Sequence, residues 1–122
     1  MNNPVGWFEI YVDDMPRARR FYETMLGISL HRLDNTESEM WAFPMSDQGY
    51  GASGALIRTP GFPAGNNSTV VYFACSDCAV EAARAADAGG RVETAKKAVG
   101  PYGFIALVID TEGNIVGLHS MQ

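Results

Sequence analysis

The stretch WFEIYVDDMPRARRFYETMLG, Trp7 to Gly27, and the later stretch VVYFACSDCAVEAARAADAGG, Val70 to Gly90, follow one pattern. In each, β-branched and aromatic residues read as a strand, an aspartate follows, and apolar residues at helical spacing run to a glycine. Laying Asp14 on Asp77 sets a shift of 63 residues, and Gly27 then falls on Gly90, both 13 residues past the aspartate. Under the same shift Trp41 meets Phe104, Ala42 meets Ile105, Asp47 meets Asp110 and Gly54 meets Gly117, with no gap. A long period seen only twice marks a duplicated supersecondary unit, since a solenoid needs about three repeats to bury a continuous core.

The first copy predicts a strand over VGWFEIYV and a helix from Met15 to Leu26. Asp14 caps the helix, Pro16 has its angle preset for the first turn, Ala18, Phe21, Tyr22, Met25 and Leu26 form the apolar face, and Gly27 stops it. ISLHRLD, EMWAFPM and ASGALIRT follow as three β candidates separated by turn-rich pieces such as DQGYG. The second copy repeats the order with TVVYFACS, a helix from Cys78 to Ala88 capped by Asp77, then RVETA, FIALVID and NIVGLHSM. The class is α+β, with two tandem βαβββ modules in one domain over 1–122: module one 1–58, connector 59–69, module two 70–122. The connector TPGFPAGNNST is rich in Pro, Gly and Asn and reads as exposed; its Asn66-Asn67-Ser68-Thr69 run matches glycosylation acceptors but, with no secretory signal, reads as a polar loop.

A chain of 122 residues with 47% hydrophobic and 11% aromatic content can fill the core of one ordinary domain. Its 9 basic and 14 acidic residues leave a net charge of −5, which repels a phosphate backbone or an anionic membrane over most of the surface. Nucleic acid is therefore not an expected partner. No apolar run approaches the roughly 18 residues that cross a bilayer, so the expected residence is cytoplasmic and away from membranes. "RARR" at Arg17 to Arg20 reads as an exposed helix face, and Lys96 with Lys97 as a solvated pair. His31, lacking an acidic or histidine neighbour, reads as a strand-surface residue.

Cys75 and Cys78 have the CxxC spacing of a redox pair or half a zinc site. A zinc site needs about two more ligands, and only His31 and His119 remain. Asp77 between the sulfurs opposes thiolate formation. The pair reads as two partly buried thiols where a strand meets a helix.

With VDDMPRARRFYETMLG in the first copy and DTEGNIVGLHS closing the second, the chain resembles the vicinal oxygen chelate superfamily, which includes glyoxalase I, extradiol dioxygenases, and bleomycin and fosfomycin resistance proteins. The resemblance covers essentially the whole chain. It implies two βαβββ modules whose curled sheets make an open cup, often completed by a second subunit, with a small molecule inside. It also implies a divalent metal held from the first and last strand of each module. Those positions fall here on Trp7, Gly54, Val70 and Gly117, none of which ligates through its side chain, so no metal and no cofactor is expected.

Side chains alternate along a strand, so residues two apart from those positions are expected to share the inward face. They add Glu9 and Tyr11, Leu56, Tyr72 and Ala74, and His119. Burial in an apolar cup would raise the pKa of Glu9 toward the working range of a general base, and His119 titrates near it already, so the two are the candidate proton carriers. The alternative is a structural or ligand-orienting role for both. Tyr11, Leu56 and Tyr72 are candidate ligand contacts; Trp7 and Trp41 are either core or a flat wall for an aromatic ligand. Tyr102, in the AKKAVGPYGF segment, belongs to either a lid or a long hairpin loop. The functional expectations are a small-molecule-binding protein, a metal-independent lyase, isomerase or hydrolase using Glu9 and His119, or a resistance-type binder that sequesters an antibiotic. Open sheet edges make a homodimer the expected assembly.

Overall fold

In the computed structural model the chain is described over residues 3–49, 51–65, 69–109, 111 and 114–122, apart from the Met25 side chain. Met25, Tyr50, the acceptor residues Asn66 to Ser68, and Asp110, Glu112 and Gly113 of the closing motif lie outside this description. The described residues form eight strands and two α-helices: β1 Val5–Tyr11, α1 Met15–Leu26, β2 His31–Arg32, β3 Glu39–Ala42, β4 Gly54–Arg58, β5 Thr69–Ala74, α2 Cys78–Asp87, β6 Arg91–Ala98, β7 Phe104–Ile109 and β8 Ile115–Ser120. The order is strand, helix, three strands, twice, as the duplicated sequence predicts. Two compact units emerge: unit one, Phe8–Thr69, and unit two, Met1–Trp7 with Val70–Gln122. The first residues of β1 therefore belong with the second module.

Both helices begin as the aspartates predict. The Asp14 carboxylate accepts from Arg17 N at 3.0 Å and the Asp77 carboxylate from Ala79 N at 3.0 Å, each satisfying an amide that the first turn leaves open. Gly27 ends α1 at φ 65°, a left-handed conformation that a Cβ disfavours.

In unit one β1 runs parallel to β4, and β4 pairs antiparallel with β3, which pairs with β2. One face packs on α1: Val12, Met15, Leu30, Phe43 and Leu56, backed by Phe8, Ile10, Ala18, Tyr22, Ile28 and Trp41. In unit two β5 runs parallel to β8, followed antiparallel by β7 and β6. Its packed face joins Cys78 and Ala82 of α2 to Ala106, Val108 and Leu118, with Phe73, Phe104 and Val116 alongside.

The ungapped 63-residue correspondence holds for β1 against β5 and for the helix caps but not beyond. Val12 N donates to Ile57 O at 2.9 Å, and its counterpart Cys75 N donates to His119 O at 2.8 Å, so Ile57 and His119 are equivalent at a shift of 62. Trp41 pairs with Leu56 and Ala106 with Leu118, so β3 matches β7 at a shift of 65. Two irregularities in β6, between Val92 and Thr94 and between Thr94 and Lys97, insert one residue each, as bulges do. The β7–β8 connection is then shorter than the β3–β4 connection. Insertion and deletion nearly cancel, which is why sequence alone shows no gap.

Candidate functional site

Each sheet has a face without a helix, and register decides what stands on it. In unit one, Glu9 pairs with Ala55 and Ala55 with Ala42, while Tyr11 pairs with Ile57 and Ile57 with Met40. Those two rows share the helix-free face, because Phe8, Ile10 and Leu56 point to α1. Leu56 therefore does not share a face with Glu9, contrary to the alternation counted from Gly54: Leu56 pairs with Ile10 and is 0% exposed in the α1 core. Trp41 pairs with Leu56 and stands on that core side as well. The Arg19 guanidinium covers its ring at 3.5 Å from the centroid, and its indole N–H donates to Glu39 at 3.1 Å. Arg19 is thus a packing residue and not part of an open basic face.

Glu9 is 8% exposed, the one buried carboxylate among the described residues. The methyl groups of Ala55 and Ala42 extend its row, giving it a low floor. Tyr11 stacks on Phe62 of the connector with centroids 5.8 Å apart. Burial first, and the Glu9 charge second, hold the Tyr11 phenol above its ordinary value. The connector is exposed over residues 60–65, as its composition predicts, yet it is tied to the end of β1: Ala64 N donates to the Asp13 carboxylate at 3.0 Å.

In unit two the helix-free face carries Tyr72 paired with Gly117 and Gly117 with Leu107, and Ala74 paired with His119 and His119 with Ile105. Lys97 pairs with Ile105 and extends the second of these rows. Tyr72 and His119 thus stand on one face, as alternation predicts. A Cβ built on Gly117 would overlap the Tyr72 ring, so the ring occupies the space a longer side chain would need. His119 Nε2 lies 2.6 Å from the carbonyl oxygen of Tyr102. β6 continues to Ala98, so the expected ten-residue loop shrinks to a tight connection with one 3-10 turn at Gly100–Tyr102. Sequence reasoning missed the floor residues Ile105 and Leu107, whose facing depends on the β6 bulges; it also chose the ring of Tyr102 where the backbone makes the contact.

The two cysteines are free thiols, Cys78 fully buried at the start of α2. Burial, then the Glu81 carboxylate, pushes the Cys75 thiol up, which opposes the thiolate that redox chemistry needs. Asp77, expected to do this, is instead engaged by Lys96 Nζ at 2.8 Å.

The family model of the Glyoxalase/Bleomycin resistance protein/Dioxygenase superfamily matches residues 5–118. The chain belongs to this superfamily. Comparison with curated proteins returns no match. Among solved structures, methylmalonyl-CoA epimerase from Mycobacterium tuberculosis superposes with a TM-score of 0.66 at 17% identity, covering 98% of this chain and 88% of that one. The Streptomyces coelicolor methylmalonyl-CoA epimerase in complex with 2-nitronate-propionyl-CoA gives 0.68 at 18% identity, covering 97% and 96%. A hypothetical protein from Bacillus halodurans gives 0.73 at 9% identity, covering 100% and 96%. These likenesses show the fold.

The metal that the superfamily implies does not fit the residues present. Its positions fall on Trp7, Val70 and Gly117 in unit two and, by the observed register, on Ala55 in place of Gly54 in unit one. An indole N–H only donates, and isopropyl, hydrogen and methyl groups offer no lone pair. Among the described residues no three His, Cys, Asp or Glu gather as a metal-holding group. Nor is any described helix long and apolar enough to cross a membrane.

Proposed function

We propose that this chain binds a small organic molecule against the helix-free face of its sheet without a divalent metal, and that Glu9 is the polar anchor. Support comes from one observation above all: a carboxylate 8% exposed, on a floor of methyl groups, beside a phenol. Buried carboxylates beside a titratable group of shifted pKa concentrate at functional sites. Tyr11 is the proposed contact beside Glu9 in unit one, and Trp7 and Tyr72 are the contacts proposed in unit two. The solved relatives' acyl-CoA ligand is one class to screen, and so are aromatic metabolites and glycopeptide antibiotics.

The same carboxylate favours a second reading, proton transfer on the bound molecule, with Glu9 as base and His119 as a second proton carrier in an isomerisation, elimination or hydrolysis. The proposal includes a cytoplasmic homodimer, because the short β2 and the long β6 are unpaired edges that a two-fold partner would cover. Thermal-shift screening of chelator-treated protein tests the binding reading. A ligand should raise Tm in wild type and lose at least tenfold in affinity in Glu9→Gln. Stoichiometric zinc, nickel or iron surviving dialysis would sink the metal-free reading; equal affinity in Glu9→Gln would remove the anchor. For turnover, Glu9→Gln and His119→Ala made separately decide the proton carriers.

A further inference from the structure

We infer that His119 presents Nδ1 as its proton-accepting atom, held so by the Val99–Gly103 turn, and that this half of the sheet recognises a ligand carrying an O–H or N–H group on an apolar body. The inference rests on the proposed binding reading but specifies an atom and a ligand chemistry that the reading leaves open.

A carbonyl oxygen can only accept, so the 2.6 Å approach of His119 Nε2 to Tyr102 O requires the hydrogen to sit on Nε2. A neutral imidazole has a single N–H, which leaves Nδ1 with the lone pair. The second ring nitrogen is thereby fixed as an acceptor by what the first one holds, the relation that orients catalytic and ligating histidines generally.

The turn is built for this contact. Val99 N donates to Gly103 O at 2.9 Å and Tyr102 N donates to Val99 O at 3.3 Å, while Pro101 fixes one angle. Gly103 sits at φ 94°, where a side chain is strained; a Cβ there would overlap Ser120 O and stand 3.3 Å from His119 Nε2. Only glycine lets the Tyr102 carbonyl and the imidazole close to hydrogen-bonding distance. Gly103 is thus a positioning residue.

Ile105 shares the row of His119 and Leu107 the row of Tyr72 and Gly117, so the acceptor stands beside an aliphatic floor. A ligand seated there meets apolar surface and the Nδ1 lone pair, with Lys97 at the far end of the His119 row, and the lone pair selects a donor group. If the bound group is acidic, its hydrogen passes to Nδ1 and the electron pair stays on the ligand heteroatom. The resulting imidazolium keeps its Nε2–H bond to Tyr102 O, now strengthened by charge.

Long-range proton–nitrogen correlation of the 15N-labelled imidazoles in the free protein tests the inference. His119 should show a protonated Nε2 and a pyridine-type Nδ1, with His31, exposed on β2, as the internal reference. A protonated Nδ1, or an even mixture, overturns it whatever the protein turns out to bind. Gly103→Ala should shift His119 toward a mixture while His31 stays unchanged; Pro101→Gly, which loosens the same turn, serves if Gly103→Ala fails to fold. A tautomer unmoved in the folded variants removes the turn's role. Phenol and anisole then form a matched pair of probes. Phenol should move the Nδ1 resonance and anisole should not; an equal response, or none to either, eliminates donor recognition.

Discussion

Unit one packs its helix against a cluster of four rings, and unit two packs its helix mainly against small side chains with two phenylalanines beside them. Around Leu56 stand Phe8, Tyr22, Phe43 and Trp41, with Phe8 and Phe43 tilted at 5.3 Å and Tyr22 edge-on to Phe43 at 5.9 Å. Around Leu118, the counterpart of Leu56, stand Cys78, Ala82, Ala85, Ala106 and Val108, with Phe73 and Phe104 the only rings in the cluster among the described residues. The same topology therefore tolerates two very different fillings, provided each is complementary to its own helix, so the duplication constrains hydrogen-bonded register more tightly than core volume.

The largest effect should come from emptying the ring-lined core. Leu56→Ala removes a side chain with 0% exposure among neighbours too rigid to collapse, and should cost about 2–5 kcal/mol. Ala106→Leu makes the opposite change in unit two, where Ala106 is likewise 0% exposed, and overpacking should cost about 1–3 kcal/mol. Urea midpoints at constant slope measure both. A neutral Ala106→Leu would show the core of small side chains to be loosely filled and would break the comparison.

Most of the architecture was legible because its signals are local. Asp14, Pro16 and Gly27 mark one helix without reference to the rest of the chain, and Asp77 marks the other. Glu9 shares a face with Tyr11, and Tyr72 with His119, as alternation predicts, because each is counted over a few residues from Trp7, Val70 or Gly117 within its own strand. Leu56 differs because the face of β4 depends on its register with β1, and the offsets between the two copies, two β6 bulges and a shorter β7–β8 connection, nearly cancel in the ungapped comparison that placed Gly54 opposite Gly117. Trp41 was undecidable for a related reason. Nothing in EMWAF says that Arg19, from a helix, will cover the indole.

The helix-free faces differ as well, and Tyr11 reports on the one in unit one. Its phenol titrates above the usual value of about 10, raised by burial and by the Glu9 charge. The protonated form is the one the fold favours, so its contribution to stability is fully present below about pH 10 and is lost as pH rises through the higher folded value. Glu9→Gln should bring the tyrosinate midpoint part of the way back, leaving the share due to burial; absorbance titration measures it. An unchanged midpoint would mean that Glu9 carries no charge beside Tyr11, and the anchoring role proposed for the carboxylate would lose its footing.

The smallest predicted effect distinguishes the two helix caps. Asp14 and Asp77 each accept one amide at 3.0 Å, but Asp77 also receives Lys96 Nζ at 2.8 Å, and that ammonium bonds the main-chain oxygen of Gln122 at 3.0 Å. Lys96, and after it the Ala79 amide, holds the Asp77 carboxyl below the ordinary carboxylate range. A depressed value contributes stability that is present above the unfolded pKa of about 3.9 and is lost as pH falls through the folded one. Asp77→Asn keeps an acceptor for the cap while removing the charge, so it should flatten this acid limb without unwinding α2. Lys96→Met, which keeps the chain's packing on Phe104, should flatten it too, and adding salt should do so partially in wild type, because the pair is half open to solvent. An acid limb that survives Asp77→Asn would assign it to another carboxylate and leave the two caps equivalent in everything but sequence.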